Sequence, residues 1–182
     1  MGIKVKELKF GAKLIEPDYY FDNRGYSTET MNLRDLKNNG ILKNWVLDYQ
    51  CLNVEVNTIR GIHFQNNPYP QAKMVRVLSG KIDDFVIDLR RNSPTFKQWI
   101  KQEISSDNHK VIYIPSGCGH AFITKEPNTV VLYKFDNFYN RELSRAIRWN
   151  DPEINLDWDC DNPVLSSSDL KANFLSDSDL NL

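Results

Sequence analysis

A chain of 182 residues is long enough for one domain with a substantial core, and 41% hydrophobic with 26% charged residues is the balance of an ordinary globular protein. A formal net charge of -1 excludes any global attraction to nucleic acid or to an anionic membrane, so an anionic ligand has to be held by a local group of Arg and Lys. Cys51, Cys118 and Cys160 are odd in number and irregular in spacing, which argues against a disulfide framework and for a reducing, cytoplasmic setting; no signal peptide and no membrane span is read in the chain.

Taken in order, the first clear element is a helix over 31–40, with Asn32 able to cap it, Asp35 three residues on and Gly40 able to close it. From about 45 to 139 the texture is short strands broken by turn signals. Runs at 73–78 and 81–89 flank Ser79-Gly80, which reads as a hairpin turn. In the second run Phe85, Ile87 and Leu89 share one face, and Asp84, Val86 and Asp88 the other. Strands at 99–104 and 111–114 flank a polar turn, and strands at 120–124 and 129–135 flank Glu126-Pro127-Asn128. This spacing predicts an all-β barrel or double-sheet sandwich with a few short flanking helices. A last helix is expected at 168–172 with Ser168 as its N-cap, and residues 177–182 are expected to fray. No linker divides the chain, so residues 1–182 are expected to be a single domain.

Of three histidines, His109 lies in a polar turn and reads as solvent-exposed. His63, in Ile59-Arg60-Gly61-Ile62-His63-Phe64-Gln65, and His120, in Pro115-Ser116-Gly117-Cys118-Gly119-His120, each lie at a strand end beside a glycine-containing turn, where small barrels place their sites. The P-x-G-x-x-H spacing before His120 matches the second half of the cupin signature, and Gly61-x-His63 matches part of the first. A metal-binding cupin offers paired histidines and an acidic ligand. Here Gln65 follows His63 and Lys73 stands near the acidic position. Two imidazoles and a cation are a poor donor set for a divalent ion, so no catalytic metal and no cofactor are expected.

Six strings in order make a more specific resemblance. They are Arg60-Gly61-Ile62-His63-Phe64-Gln65; Gln71-Ala72-Lys73-Met74-Val75-Arg76-Val77; Asp88-Leu89-Arg90-Arg91-Asn92-Ser93-Pro94-Thr95-Phe96; Ile114-Pro115 with Gly117, His120, Ala121 and Phe122; Leu132-Tyr133-Lys134; and Ile147-x-Trp149-Asn150-Asp151-Pro152. Together they resemble the dTDP-4-dehydrorhamnose 3,5-epimerase family, over about residues 14 to 169.

The resemblance implies a cupin-type double-stranded β-helix, or jelly roll. It also implies proton removal and return at the carbons flanking the ketone of a nucleotide-diphosphate sugar. His63 corresponds to the family's base and Asp169 to the carboxylate that orients it, although by residue type alone Asp169 reads equally as a first-turn helix aspartate. Tyr133 corresponds to the acid, and Lys73 to a cation over the developing enolate. Taken singly, Tyr133 reads as a core aromatic on one face with Val131 and Phe135, and Lys73 as a surface lysine. His120 and Asp84 form a supporting pair. Arg60 and Arg24 match diphosphate contacts, where the planar guanidinium fork suits phosphate oxygens. In the family the segment carrying Arg24 reaches a neighbour's site, which implies a homodimer with Glu29 travelling alongside. Gln65, Asp48 and Phe138 complete the expected substrate contacts, Phe138 by stacking.

Departures cluster at the nucleotide end. Ser27 stands where an aromatic commonly packs on the base, and residues 45–52 replace a run closer to Gln-Asp-Asn-x-Ser. Asp48 is an acceptor suited to guanine. Sequence therefore leaves open a GDP-sugar substrate, an epimerase acting at one carbon, a 3,4-ketoisomerase and a sugar-binding cupin without chemistry; a cupin dioxygenase is disfavoured by the incomplete ligand set.

Overall fold

The computed structural model describes residues 2–182. In chain order the strands and helices are β1 (Ile3–Glu7), β2 (Lys13–Pro17), β3 (Tyr19–Asp22), β4 (Gly25–Thr28), α1 (Leu33–Asn38), β5 (Leu47–Asn53), β6 (Ile59–Gln65), β7 (Lys73–Ser79), β8 (Lys81–Asp88), β9 (Trp99–Ser105), β10 (Val111–Ile114), β11 (Cys118–Thr124), β12 (Thr129–Phe135), β13 (Ser144–Ala146) and α2 (Ser167–Leu170). One sheet runs β1-β2-β10-β7-β12-β5 and the other β13-β6-β11-β8-β9, while β3 and β4 form a separate hairpin. The pairings are antiparallel, as in an all-β jelly roll of the cupin type.

The expected hairpin at Ser79-Gly80 is not one. β7 pairs with β10 and β12, and β8 with β11 and β9, so Gly80 carries the chain from one sheet to the other. The links from β9 to β10 and from β11 to β12 cross between sheets in the same way. The physical reason lies in the composition of these strands. β8 is apolar on both pleat faces, and a two-stranded ribbon cannot bury both. Crossing gives β7, β8, β10, β11 and β12 two in-sheet partners each and lets both faces of the central strands be covered.

Three apolar clusters result. Val75, Val77, Ile112 and Val131 of the larger sheet meet Ile82, Val86, Ile104 and Phe122 of the smaller between the two layers. The outer face of the smaller sheet, including Phe85, Ile87 and Ile123, is covered by the C-terminal segment through Ile154, Trp158, Leu175 and Leu180. The outer face of the larger sheet is covered by α1, whose Leu36, with Ile41, packs on Ile15, Met74 and Val111. Asn32 caps α1 by accepting from the Arg34 and Asp35 amides at 3.0 and 3.4 Å, as its sequence predicts.

The tail departs from expectation. Leu180 is buried, the Asn67 amide donates to the Asn181 carbonyl at 3.0 Å, and the Arg91 amide to the Leu182 carbonyl at 3.4 Å. Asp151 locks this segment by accepting from the Glu153, Ile154 and Leu175 amides. His109 is likewise not free in solvent: its ring stacks on Tyr19 at 4.0 Å between centroids.

One irregularity positions the site. In a regular strand Arg60 and His63, an odd number apart, point to opposite faces. In β6 the register slips: His63 stands opposite His120, but Arg60 stands opposite Phe122, so both side chains reach the interior. Gly61 occupies the slip at φ +123, and a Cβ there would lie 2.6 Å from the His120 carbonyl oxygen and 2.6 Å from the Ala121 Cβ. Only glycine fits a left-handed conformation against so close a backbone. Gly61→Ala is expected to lower stability by about 2 kcal/mol or more in denaturant titration, from the φ penalty and the overlap combined.

Candidate active site

The pleat of five strands delivers the polar interior. β6 contributes His63, β7 contributes Lys73, β8 contributes Asp84, β11 contributes His120 and β12 contributes Tyr133. Each of the last three alternates with residues of the inter-sheet core on its own strand: Val86 beside Asp84, Phe122 beside His120, Val131 beside Tyr133. His63, Lys73, His120 and Tyr133 line a cavity of about 470 Å³ with Arg60 at its side. That volume is of the size that holds a small-molecule ligand. An apolar wall of Leu47, Tyr49, Phe135 and Tyr139 faces them.

Two histidine–aspartate pairs occupy the site, and their surroundings differ. His63 Nε2 donates to Asp169 Oδ1 at 2.6 Å; the His63 side chain is 44% exposed and that of Asp169 5%. Burial pushes the Asp169 carboxyl up, but hydrogen bonds from His63 and Ser166 and the nearby Arg60 charge outweigh it and hold Asp169 below the ordinary carboxylate range. His120 Nε2 bonds Asp84 Oδ2 at 2.7 Å, with both side chains almost wholly enclosed. There burial dominates: it lifts the Asp84 carboxyl and depresses the His120 imidazole, against their mutual attraction. Asp84 Oδ1 has no partner among the described residues.

Lys73 is a buried strand lysine, not a surface one. Its ammonium donates to the His63 carbonyl at 3.2 Å, and burial, partly opposed by Asp84, pulls it from the ordinary 10.5 down to about 8. Tyr133 is buried too, and burial raises its phenol well above the ordinary value. Its ring packs parallel to Phe135 and edge-on to His120, so its core-aromatic character and its place in the cavity coexist. Among the described residues no group of three or more His, Cys, Asp or Glu side chains is placed to hold a metal ion.

The other candidate contacts scatter. Arg60 is anchored by Asn53 Oδ1 at 2.7 Å and by the Leu52 carbonyl, and it lines the cavity. Gln65 is buried and spent on the loops above: its amide donates to the Tyr69 and Phe138 carbonyls, and its oxygen accepts from the Asn140 amide. Asp48 does not stand as a free acceptor for a base, because Lys134 Nζ reaches both its oxygens at 2.8 and 2.9 Å. Phe138 is 67% exposed and outside the cavity lining; its neighbour Tyr139 is the aromatic that enters. Arg24 is exposed at the tip of the β3–β4 hairpin, paired with Asp22 at 2.6 Å, and Glu29 accepts from Asn32; neither lines the cavity of its own chain.

Sequence reading missed Tyr49 and Tyr139. Tyr49 stands directly opposite Tyr133 across the β5–β12 ladder, its ring 5.9 Å away. The alternation of β5 was the available signal, but an edge strand with one polar face gives no clue to which face is inward. The N-cap of α2 is Ser166, not Ser168: the Ser166 hydroxyl accepts from the Asp169 amide. Three consecutive serines make the capping position ambiguous until the chain's path is known.

Comparison with known proteins agrees with this arrangement. The family model described as dTDP-4-dehydrorhamnose 3,5-epimerase matches residues 7–177. The dTDP-4-dehydrorhamnose 3,5-epimerase of Methanothermobacter thermautotrophicus is 39% identical over 148 residues, covering 81% of this chain and 79% of that protein. The crystal structure of dTDP-4-dehydrorhamnose 3,5-epimerase from Bacillus anthracis str. Ames with TDP and PPi bound superposes with a TM-score of 0.93 at 40% identity, covering 96% of this chain and all of that one (100%). A Legionella pneumophila 3,5-epimerase in complex with dTDP-4-keto-L-rhamnose gives a TM-score of 0.90 at 30% identity, covering 96% of this chain and 93% of the other. With the family model matching residues 7–177, the relatives' identity and coverage and the shared fold in agreement, this chain belongs to the dTDP-4-dehydrorhamnose 3,5-epimerase family.

Proposed function

We propose that this protein inverts C3 and C5 of a dTDP-4-keto-6-deoxy-hexose, with His63 as base, Tyr133 as acid and Lys73 as the cation facing the ketone oxygen. The observation that supports this most is the convergence of these three groups on one cavity from three different strands. A base and an acid on separate strands can address opposite faces of one ring, and inversion requires two faces.

The difference between the two histidines favours His63 as the base. Abstracting a proton from carbon makes an imidazolium. His63 is partly solvated and its Nε2 proton is held by a carboxylate, so its Nδ1 is the basic nitrogen and the resulting charge has a partner. His120 is enclosed and burial already disfavours its charged form, which suits it to orienting the sugar. As the C–H proton passes to His63, the electron pair moves onto the carbonyl oxygen, where the Lys73 ammonium stabilises the enolate. Tyr133 then gives its phenolic proton to the opposite face of the same carbon and the carbonyl re-forms. The phenolate regains its proton from solvent entering the open cavity, and the imidazolium loses its proton to the same solvent.

Arg60 is read as the diphosphate contact, a reading supported by its position in the cavity lining. Arg24 and Glu29 are read as contributions to a neighbour's site in a homodimer, a reading supported by the exposed aromatics Tyr20, Phe21 and Tyr26 on the hairpin that carries Arg24. The unpaired, buried Cys51 and Cys118 support a reducing, cytoplasmic compartment. No helix is long and apolar enough to cross a membrane.

Incubation with dTDP-4-keto-6-deoxy-glucose in heavy water is expected to place deuterium at both C3 and C5; NMR showing entry at neither carbon would reject the assignment. His63→Ala should slow exchange by at least about 100-fold. Tyr133→Phe should let deuterium enter without inversion, because His63 can only return a proton to the face it came from. The pH dependence follows from Lys73. Its value is depressed, so the ammonium is present below about 8 and lost above it; Tyr133 is raised and stays protonated there. kcat/KM is therefore expected to fall above pH 8, and in Lys73→Arg, whose charge persists, that basic limb should vanish even if the maximum is lower.

A further inference from the structure

We infer that Ser166 is a positioning residue for the reaction, aiming the Asp169 carboxylate at the base; the inference rests on His63 being that base. The Ser166 Oγ lies 2.9 Å from Asp169 Oδ2 and 3.1 Å from the Asp169 amide nitrogen. It also lies 2.8 Å from Ser168 Oγ. A hydroxyl has one proton and two lone pairs. The carboxylate can only accept, so the Ser166 proton goes to Asp169 Oδ2. Its two lone pairs then take the Asp169 amide proton and the Ser168 hydroxyl proton. The two hydroxyls donate in series, Ser168 to Ser166 and Ser166 to Asp169 Oδ2, and meet at the carboxylate whose other oxygen accepts from His63, so each serine polarises the next member.

The placement is built by the tail. The Ile59 amide donates to the Val164 carbonyl and the Val164 amide to the Asn57 carbonyl, both at 2.9 Å, fixing the chain just before Ser166 against the start of β6. Beyond α2, Asn173 bridges Ile147 and the Arg148 amide donates to its carbonyl at 2.8 Å. Between these two anchors α2 is a single turn, too short to hold a side chain by its own stability. Asp169 has two carboxylate oxygens and one rotatable Cβ–Cγ bond. A donor on Oδ2 selects the rotation that presents Oδ1 to His63 Nε2. Without it, Oδ2 loses its side-chain donor in a buried setting, the Cβ–Cγ rotation is held by the His63 bond alone, and the imidazole is less firmly oriented.

Capping and aiming are separable by substitution. Thr keeps both roles. Asp caps a helix as well as Ser does, but it sets a second carboxylate against Asp169 Oδ2 where a donor stood. Ser166 is exposed, so either side chain has room. Steady-state kinetics with dTDP-4-keto-6-deoxy-glucose should show Ser166→Ala lowering kcat about tenfold with KM within about twofold, and Ser166→Thr restoring it. Ser166→Asp should be impaired at least as much as Ser166→Ala, with the acid limb of its kcat profile moved to higher pH, because added negative charge favours the imidazolium. Wild-type kcat in Ser166→Ala, or loss in Ser166→Ala with recovery in Ser166→Asp, would overturn the inference and leave Ser166 a helix cap. Asp169→Asn, measured alongside, separates this from the base assignment: wild-type kcat there removes the His63–Asp169 pair itself, whereas an impaired Asp169→Asn beside a normal Ser166→Asp removes the serine alone.

Discussion

Placing ionisable groups between two β-sheets costs free energy, and the structure depends on how that cost is met. Lys73, Asp84, His120 and Tyr133 are all buried in the layer that elsewhere holds Val75, Val86, Phe122 and Val131. An unpaired charge there is prohibitive, so each group is paired or shifted toward its neutral form: Asp84 bonds His120, Lys73 is drawn down by burial and Tyr133 is raised. Two further apolar clusters, one under α1 and one under the C-terminal segment, close the outer faces of the sheets and add to the apolar part of the middle layer. The middle layer can then carry chemistry because it is not the only core.

The same cover serves the site a second time. The tail that buries Phe85 and Ile87 is the segment that delivers Asp169 to His63, so one stretch of chain both completes the apolar cluster and supplies the imidazole with its partner. The two histidine–aspartate pairs have the same bond and nearly the same length, yet their exposure separates their roles. A pair open to the cavity can take up and discharge a proton. A sealed pair holds a fixed shape. This is a matter of solvation around like groups, a common way for one site to present two different acid–base behaviours.

The wall of Leu47, Tyr49, Phe135 and Tyr139 lines one side of the cavity. Asp48, which sequence offered as an acceptor for a base, is instead bound by Lys134 on the opposite strand of the same ladder, a cross-strand charge pair that a linear reading cannot see. Gln65 likewise holds the loop containing Tyr69 and the start of the one containing Tyr139 in place and has no donor left over.

By itself the sequence determined most of the strands between 73 and 135, the capping of α1 by Asn32 and the glycine-flanked histidines His63 and His120, because local periodicity, turn chemistry and short motifs are encoded within a few residues of each other; Lys73, Asp84 and Tyr133 stood out only through the resemblance to a family. It also contained the glycine at position 61, though not what that glycine does. Tertiary structure decided the rest. Strand pairing is non-local, so the apparent hairpin at Ser79-Gly80 became a crossing between sheets. The register slip that turns Arg60 and His63 to one side is visible only against β11. The tail looked polar enough to fray, and it is held because the outer face of the smaller sheet needs covering. Asp169 meets His63 across 106 positions of chain, and Ser166 gains its meaning only from that meeting. Such contacts depend on which surfaces the packed sheets leave open, a property of the whole arrangement that no window of sequence contains.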